Sequence, residues 1–284
     1  MQEKNIELLP VGIHYDVPET VYRADPGLNQ SLLKKFMQAN SPAHFLWEST
    51  QPDELKEKDF IKIGNFVDNE VFRPGTSKNR FVVWPGERRG NEWKAFKEAN
   101  KDKEILNEDE MNRAIGAYNA LMAHTDAKRW ITSSKHQVVV IAVHPETGIR
   151  MKGLVDLFPD ITYGWIADLK TAADASLQFH IQAFKMGYAI QARYYMDLLR
   201  FNDVFMNNFA FVVVENSPYH GVQVHHFSYD QEEIIRAGKD YTAAMIAYDE
   251  CRSTNTWPGY STAWQRITFP RWALADPKPV DVIE

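Results

Sequence analysis

Apolar positions along the chain change their period twice, and the changes divide it into helical and extended stretches. Over residues 30–39, Leu32, Leu33, Phe36 and Met37 share one helical face and predict a short helix. Ser41-Pro42 sets an N-cap before proline at the first helical position, predicting a second helix that turns Phe45 and Leu46 inward. After Asn107, the carboxylates of Glu108, Asp109 and Glu110 suit the positive end of a helix dipole. Met111, Ile115, Tyr118 and Met122 then follow at helical spacing. The period next shortens to two. Residues 137–143 are β-rich, 144–148 read as a turn, 149–158 alternate, and 163–170 form a third strand beyond Pro159-Asp160. Helical spacing returns over 176–202 with a break near Gly187. Two further strands at 209–214 and 221–227 precede a last helix. Asp230 and Glu233 open that helix in capping-box spacing, and Ile234, Tyr241, Met245 and Tyr248 form its inner face. This order predicts a mixed α/β domain with helical decoration at its N-terminus.

Residues 1–27 read as an irregular arm broken by Pro10, Pro18, Pro26 and Gly27. A basic excursion rich in Gly, Pro, Lys and Arg occupies 74–103, and residues 261–284 read as a tail, leaving one domain over 28–260. No apolar run approaches the ~18 residues of a membrane span. The opening MQEKNIELLP lacks a charged-then-apolar export pattern, so the expected location is cytoplasmic, in a bacterial host cell, with no membrane partner. The single cysteine, Cys251, excludes an internal disulfide, a four-cysteine zinc site and a cysteine-held iron–sulfur cluster. A formal charge of −6 argues against a protein that coats nucleic acid indiscriminately. It leaves room for an enzyme whose own site is built from carboxylates. The absence of a G-x-x-x-x-G-K-[ST] loop removes support for an ATP-driven motor.

The chemistry concentrates in residues 152–172. Asp168 and Lys170 are two apart on a strand and share a face, with the Leu169 backbone between them. Asp156 lies twelve residues before Asp168 across a tight turn, so a hairpin brings the carboxylates together. Two carboxylates and a carbonyl offer a hard, oxygen-only cage for Mg²⁺, or Mn²⁺ in its place. An adjacent ammonium can orient water and offset charge on a phosphoryl oxygen. An Asp-x-Lys triplet alone is ordinarily a solvated strand edge, and a buried Asp168–Lys170 ion pair would need no function. The apolar setting of Asp168 and the placement of Asp156 favour the metal. On the following helix Tyr188, Gln191 and Tyr195 form one stripe, in which an inward-facing Gln191 requires polar partners. Adjacent His225 and His226 point to opposite strand faces and are not expected to share an ion.

Asp156…Asp168-Leu169-Lys170 followed by Gln191-x3-Tyr195 resembles the PD-(D/E)xK nuclease superfamily, in its exonuclease VIII-type phage and prophage branch. The stretches at 29–34, 41–45, 89–96 and 257–260 are similar too. The resemblance implies a restriction-endonuclease-like α-β-β-β-α-β core with a mixed sheet and extra N-terminal helices. It implies an exodeoxyribonuclease acting on the ends of linear double-stranded DNA in phage-type recombination. By that likeness Asp156, Asp168 and the Leu169 carbonyl hold the metal, Lys170 assists water, and Gln191 and Tyr195 position the site. A homo-oligomeric ring and a single-strand annealing protein are the implied partners. Four positions depart from the pattern. Asp68 stands where the family places a histidine and becomes a candidate metal ligand. Gln137 replaces a glutamate, and Leu154 and Val155 replace the basic residue and proline before the first aspartate. Lys34, Lys152 and Arg193 are candidate DNA-binding residues, Lys152 because it shares a strand face with Asp156. Lys78, Arg80, Arg88 and Arg89 in the excursion are candidates for a DNA-guiding loop. The replaced histidine and glutamate motivate one alternative, a catalytically degenerate DNA-binding or assembly protein of the same fold; an endonuclease of that fold is another.

Overall fold

The computed structural model describes residues 8–51 and 59–269. Its first half is mostly helical. Strand β1 (Gly12–His14) and helix α1 (Glu19–Ala24) lead into α2 (Gln30–Gln38), α3 (Pro42–Thr50) and α4 (Asp59–Phe72). A small unit follows, made of α5 (Ser77–Arg80), β2 (Phe81–Val83), α6 (Gly90–Ala99) and β3 (Glu104–Leu106). Helices α7 (Glu108–Ala123) and α8 (Thr125–Ser133) then lead to the main strands. These are β4 (Lys135–Val143), β5 (Arg150–Phe158) and β6 (Trp165–Ala172). After α9 (Phe179–Lys185) and α10 (Tyr188–Arg200) come β7 (Asn208–Glu215), β8 (Val222–Ser228) and α11 (Glu232–Thr254).

Strands β1, β4, β5, β6, β7 and β8 form one sheet in that order. All neighbours are antiparallel except β6 and β7, which run parallel because α9 and α10 cross between them. Alternation along β7 shows why the sheet is covered on both sides. Phe209, Phe211 and Val213 join Met151, Ile166, Tyr194 and Leu198 under α10 and α11. Ala210, Val212 and Val214 join Val67, Leu121 and Ile131 under α4, α7 and α8. Each large side chain removed from water here contributes about 2 kcal/mol.

Several expectations are corrected. The N-terminal arm is not irregular throughout, since β1 pairs with β4 at Ile13↔Val140 and α1 packs beside β5. The excursion is an ordered unit in which β2 and β3 pair in parallel. On α7 the buried face is Glu110, Ala114, Ala117 and Leu121, whereas Ile115 is exposed. The helix turns its small residues to the core and comes close to the sheet. Gln231, not Asp230, caps α11, and no side chain closes that cap. Residues 261–269 contain neither helix nor strand, and the rest of the tail lies outside the described residues. Among the described residues no helix is long and apolar enough to cross a membrane.

Candidate active site

The site forms where β5 and β6 part. The two strands pair in register only at Leu157↔Ala167, and Asp156 and Asp168 follow immediately. The β4–β5 ladder falters at the same level. It runs through His136↔Leu157 and Val138↔Val155 but skips Gln137 and Asp156. Gln137 carries φ of +50°, which strains a residue with a Cβ. Val155 then lies in the core under α10 and Leu157 in the core on the opposite face, so side-chain alternation breaks at Asp156.

Main-chain groups fill the gap between the strands. The Leu169 N–H donates to Asp156 Oδ2 at 3.2 Å. The N–H and C=O of one strand residue point to the same edge, so the Leu169 carbonyl also faces the gap. On the α10 side, Gln191 Nε2 donates to Asp168 Oδ1 at 2.5 Å. Asp168 Oδ2 ion-pairs with the Lys170 ammonium. The Lys170 ammonium lies 5.3 Å from the Tyr188 ring centroid, and Lys34 approaches the same ring at 5.8 Å. Tyr188 in turn stacks on Phe211 at 5.0 Å, so a rigid aromatic base supports both cations.

Crowded carboxylates dominate the electrostatics. Burial raises the Asp156 pKa well above the ordinary carboxylate range, and the charges of Asp168 and Asp68 add to it. Burial, followed by the charge of Asp168, pushes Asp68 up to about 7. Burial works against the Lys170 ammonium, but Asp168 and Asp156 outweigh it and hold its pKa above the usual lysine value. Lys34 is brought down to about 8 by burial and by the neighbouring charge of Lys170. Tyr195 is buried beside Gly153 and Phe209, and its hydroxyl pKa is raised by burial, with the Asp156 and Asp168 charges contributing.

These residues fit a hard divalent cation. Their donors are all oxygens, and the mutual repulsion of Asp156, Asp168 and Asp68 calls for more positive charge than Lys170 supplies. Among the described residues no three Asp, Glu, His or Cys side chains converge closely enough to chelate an ion. Beside Asp156 and Asp168 the Leu169 carbonyl is a further oxygen at the gap, and Asp68 stands near enough for its charge to be felt.

The structure thus brings together Asp156, Asp168, Leu169, Lys170 and Gln191, with Asp68, Lys34 and Tyr195 around them. Two expected DNA contacts are corrected. Lys152 is buried, and its Nζ donates to the α1 carbonyls of Tyr22 at 2.9 Å and Arg23 at 3.4 Å, and to that of Asp25 at 2.5 Å. It caps α1 and has no access to a phosphate. Arg193 pairs with Asp197 at 2.8 Å and stacks over Tyr229, joining α10 to the β8–α11 region. In the excursion Arg80, Arg88 and Arg89 pair with Glu104, Glu110 and Glu87, so these three cations are used internally. His225 bonds the Ala175 carbonyl while His226 meets Trp165, on opposite faces as expected. Sequence reasoning missed Tyr188 as the platform under Lys170 and took it only as core. It also missed Arg73, whose Nη2 donates to Gln137 Oε1 at 3.1 Å and holds the strained residue opposite Asp156. No local motif marks either role.

The six-stranded mixed sheet, its α10 crossover and the carboxylates at the β5–β6 gap have the PD-(D/E)xK nuclease fold. Residues 29–267 match the family described as "PDDEXK-like domain of unknown function (DUF3799)", and the chain belongs to that family. Among solved structures it is similar to a protein of Eubacterium rectale provisionally described as an exonuclease. The two share 14% identity at a TM-score of 0.61, over 93% of this chain and 99% of that one. A phage-related exonuclease from Haemophilus somnus 129PT shares 15% identity at a TM-score of 0.34, over 81% of this chain and 96% of that one. No functionally curated protein matches the sequence.

Proposed function

We propose that the chain is a divalent-metal-dependent deoxyribonuclease that hydrolyses phosphodiester bonds from the ends of linear double-stranded DNA. The observation that carries this reading is the gap between β5 and β6, where Asp156, Asp168 and the Leu169 backbone meet Lys170. Mg²⁺, with Mn²⁺ as substitute, suits the oxygen donors. When bound, such an ion polarises a phosphoryl oxygen and lowers the pKa of water. Asp156, Asp168 and the Leu169 carbonyl would hold it, and Asp68 would add charge to its surroundings. Gln191 fixes Asp168 through Oδ1, while Oδ2 meets the Lys170 ammonium. Lys170, held cationic by its carboxylate neighbours, orients the attacking water and offsets charge building on the phosphorane oxygens. Lys34 lies beside it and suits a phosphate of the bound strand. The E. rectale protein's description as an exonuclease supports action from ends. The reading extends to phage-type recombination in a bacterial cytoplasm, beside a single-strand annealing protein and as a homo-oligomeric ring. Asp168→Ala is expected to abolish metal-dependent hydrolysis while leaving the circular dichroism spectrum unchanged. Full retained activity would sink the assignment.

A further inference from the structure

A second cleft lies at the hairpin end of β5 and β6, away from the carboxylate gap. Its volume is about 550 Å³, and Asp126, Arg129 and Trp130 of α8, Tyr163, Trp165 and His226 line it. The Trp130 and Trp165 rings stand 6.4 Å apart at 61°, and Trp165 meets His226 at 5.2 Å, also at 61°. Both tryptophans pack inward on the core under α7 and α8, which fixes their rings. Tyr163 is 67% exposed at the rim. Among the described residues neither Arg129 nor Asp126 has an ion-pair or side-chain hydrogen-bond partner. Trp165 is about 10 Å along β6 from Asp168. It packs on the sheet face opposite the one from which Gln191 reaches Asp168.

We infer that this cleft binds an unpaired nucleotide, with its base on the Trp130–Trp165–Tyr163 surface and its phosphate on Arg129. Aromatic rings held by a core accept any base face, because stacking needs no hydrogen-bond code. The planar Arg129 fork is exposed, forms no ion pair among the described residues and matches phosphate oxygens. Asp126 only accepts hydrogen bonds, so it favours a base edge with an exocyclic amino group, such as cytosine, over thymine. The cleft is of small-ligand size. It shares Ser133 and Pro159 with an adjoining cavity of about 740 Å³ that Tyr15, His136 and Phe158 help to line. A single strand leaving the first cleft therefore has a further aromatic surface to follow. Trp, Tyr and Arg also mark protein contacts. The unpaired Arg129 and Asp126, complementary to a phosphate and an amino edge, favour the nucleotide.

The inference does not rest on cleavage, and its test omits the metal. The full chain in EDTA is titrated with dCMP, dTMP, oligo(dC) and oligo(dT), following tryptophan fluorescence and the anisotropy of labelled oligo(dC). Quenching is expected, with oligo(dC) bound more tightly than oligo(dT). Arg129→Ala and Tyr163→Ala, each shown to be folded by circular dichroism, are expected to weaken binding about tenfold. Asp126→Asn is expected to bring oligo(dC) and oligo(dT) closer together. dCMP binding as tightly as oligo(dC) identifies a mononucleotide site, and tighter oligo(dC) identifies a single-strand site. Absence of quenching by every ligand, or unchanged affinity in both folded variants, overturns the inference. Self-association that Tyr163→Ala abolishes, without nucleotide binding, also overturns it. Binding is read in EDTA and cleavage in Mg²⁺, so failure of one leaves the other standing.

Discussion

Removing a charge from the carboxylate gap should stabilise the metal-free protein while damaging its function, and Asp68→Asn isolates that effect. Asp68 moves from an ordinary 3.8 to about 7 because it is buried beside Asp168. A folded-state pKa raised above the unfolded one means that the native state binds the extra proton. Stability from this group is therefore complete below about pH 4 and is lost as pH rises through about 7. Fully developed, the difference corresponds to at most about 4 kcal/mol. A chain of this size gains about 2 °C in Tm per kcal/mol, so Asp68→Asn should raise Tm by up to about 8 °C at pH 8 in EDTA. At pH 5 the gain should fall to less than about half of that. Saturating Mg²⁺ should narrow the difference, because an ion bound to the native state at a hundred times its Kd adds about 2.7 kcal/mol to the protein that keeps Asp68. Differential scanning fluorimetry across pH, with EDTA and with Mg²⁺, reads all three. An unchanged or lower Tm for Asp68→Asn at pH 8 in EDTA, or a gain that does not shrink toward pH 5, would refute the reasoning.

Three further substitutions separate catalytic from structural roles. Gln191→Ala takes the hydrogen bond from buried Asp168 Oδ1; it should slow single-turnover digestion about 10- to 100-fold and cost about 1–3 kcal/mol in urea unfolding. Arg193→Ala leaves Asp197 buried beside only the Tyr229 and Tyr241 hydroxyls. It should cost about 3 kcal/mol in urea unfolding without changing affinity for duplex DNA. A Cβ at Gly153 would stand 2.6 Å from Tyr195 and Leu198, so Gly153→Ala should push α10 outward. That change should cost about 1–3 kcal/mol in urea unfolding and reduce cleavage, because α10 carries Gln191.

The central hairpin and its chemistry were legible because they are local. Period-two alternation fixed β5, Pro159-Asp160 marked the turn, and Asp156, Asp168 and Lys170 lie within fifteen residues. The break at Gly187 was legible for a related reason, since its φ of +62° ends α9 and starts α10. Non-local pairing was hidden. Gly12–His14 becomes a strand only because the edge of β4 is open to it, and nothing in a three-residue segment announces that. Lys152 shows the limit of face arguments. It does alternate with Asp156, yet α1 descends over it and takes its ammonium for three carbonyls. Arg193 differs, because its partner Asp197 lies one turn along the same helix and the local ion pair takes up the guanidinium.

The most direct test of the account is digestion of end-labelled linear duplex DNA beside closed circular plasmid, in Mg²⁺ and in EDTA, with Asp168→Ala as control. Loss of the linear DNA alone, dependent on Mg²⁺ and absent in Asp168→Ala, is the predicted result. Cutting of the circle would contradict action from ends and make the chain an endonuclease. No cutting of either substrate with any divalent metal would contradict catalysis at the β5–β6 gap.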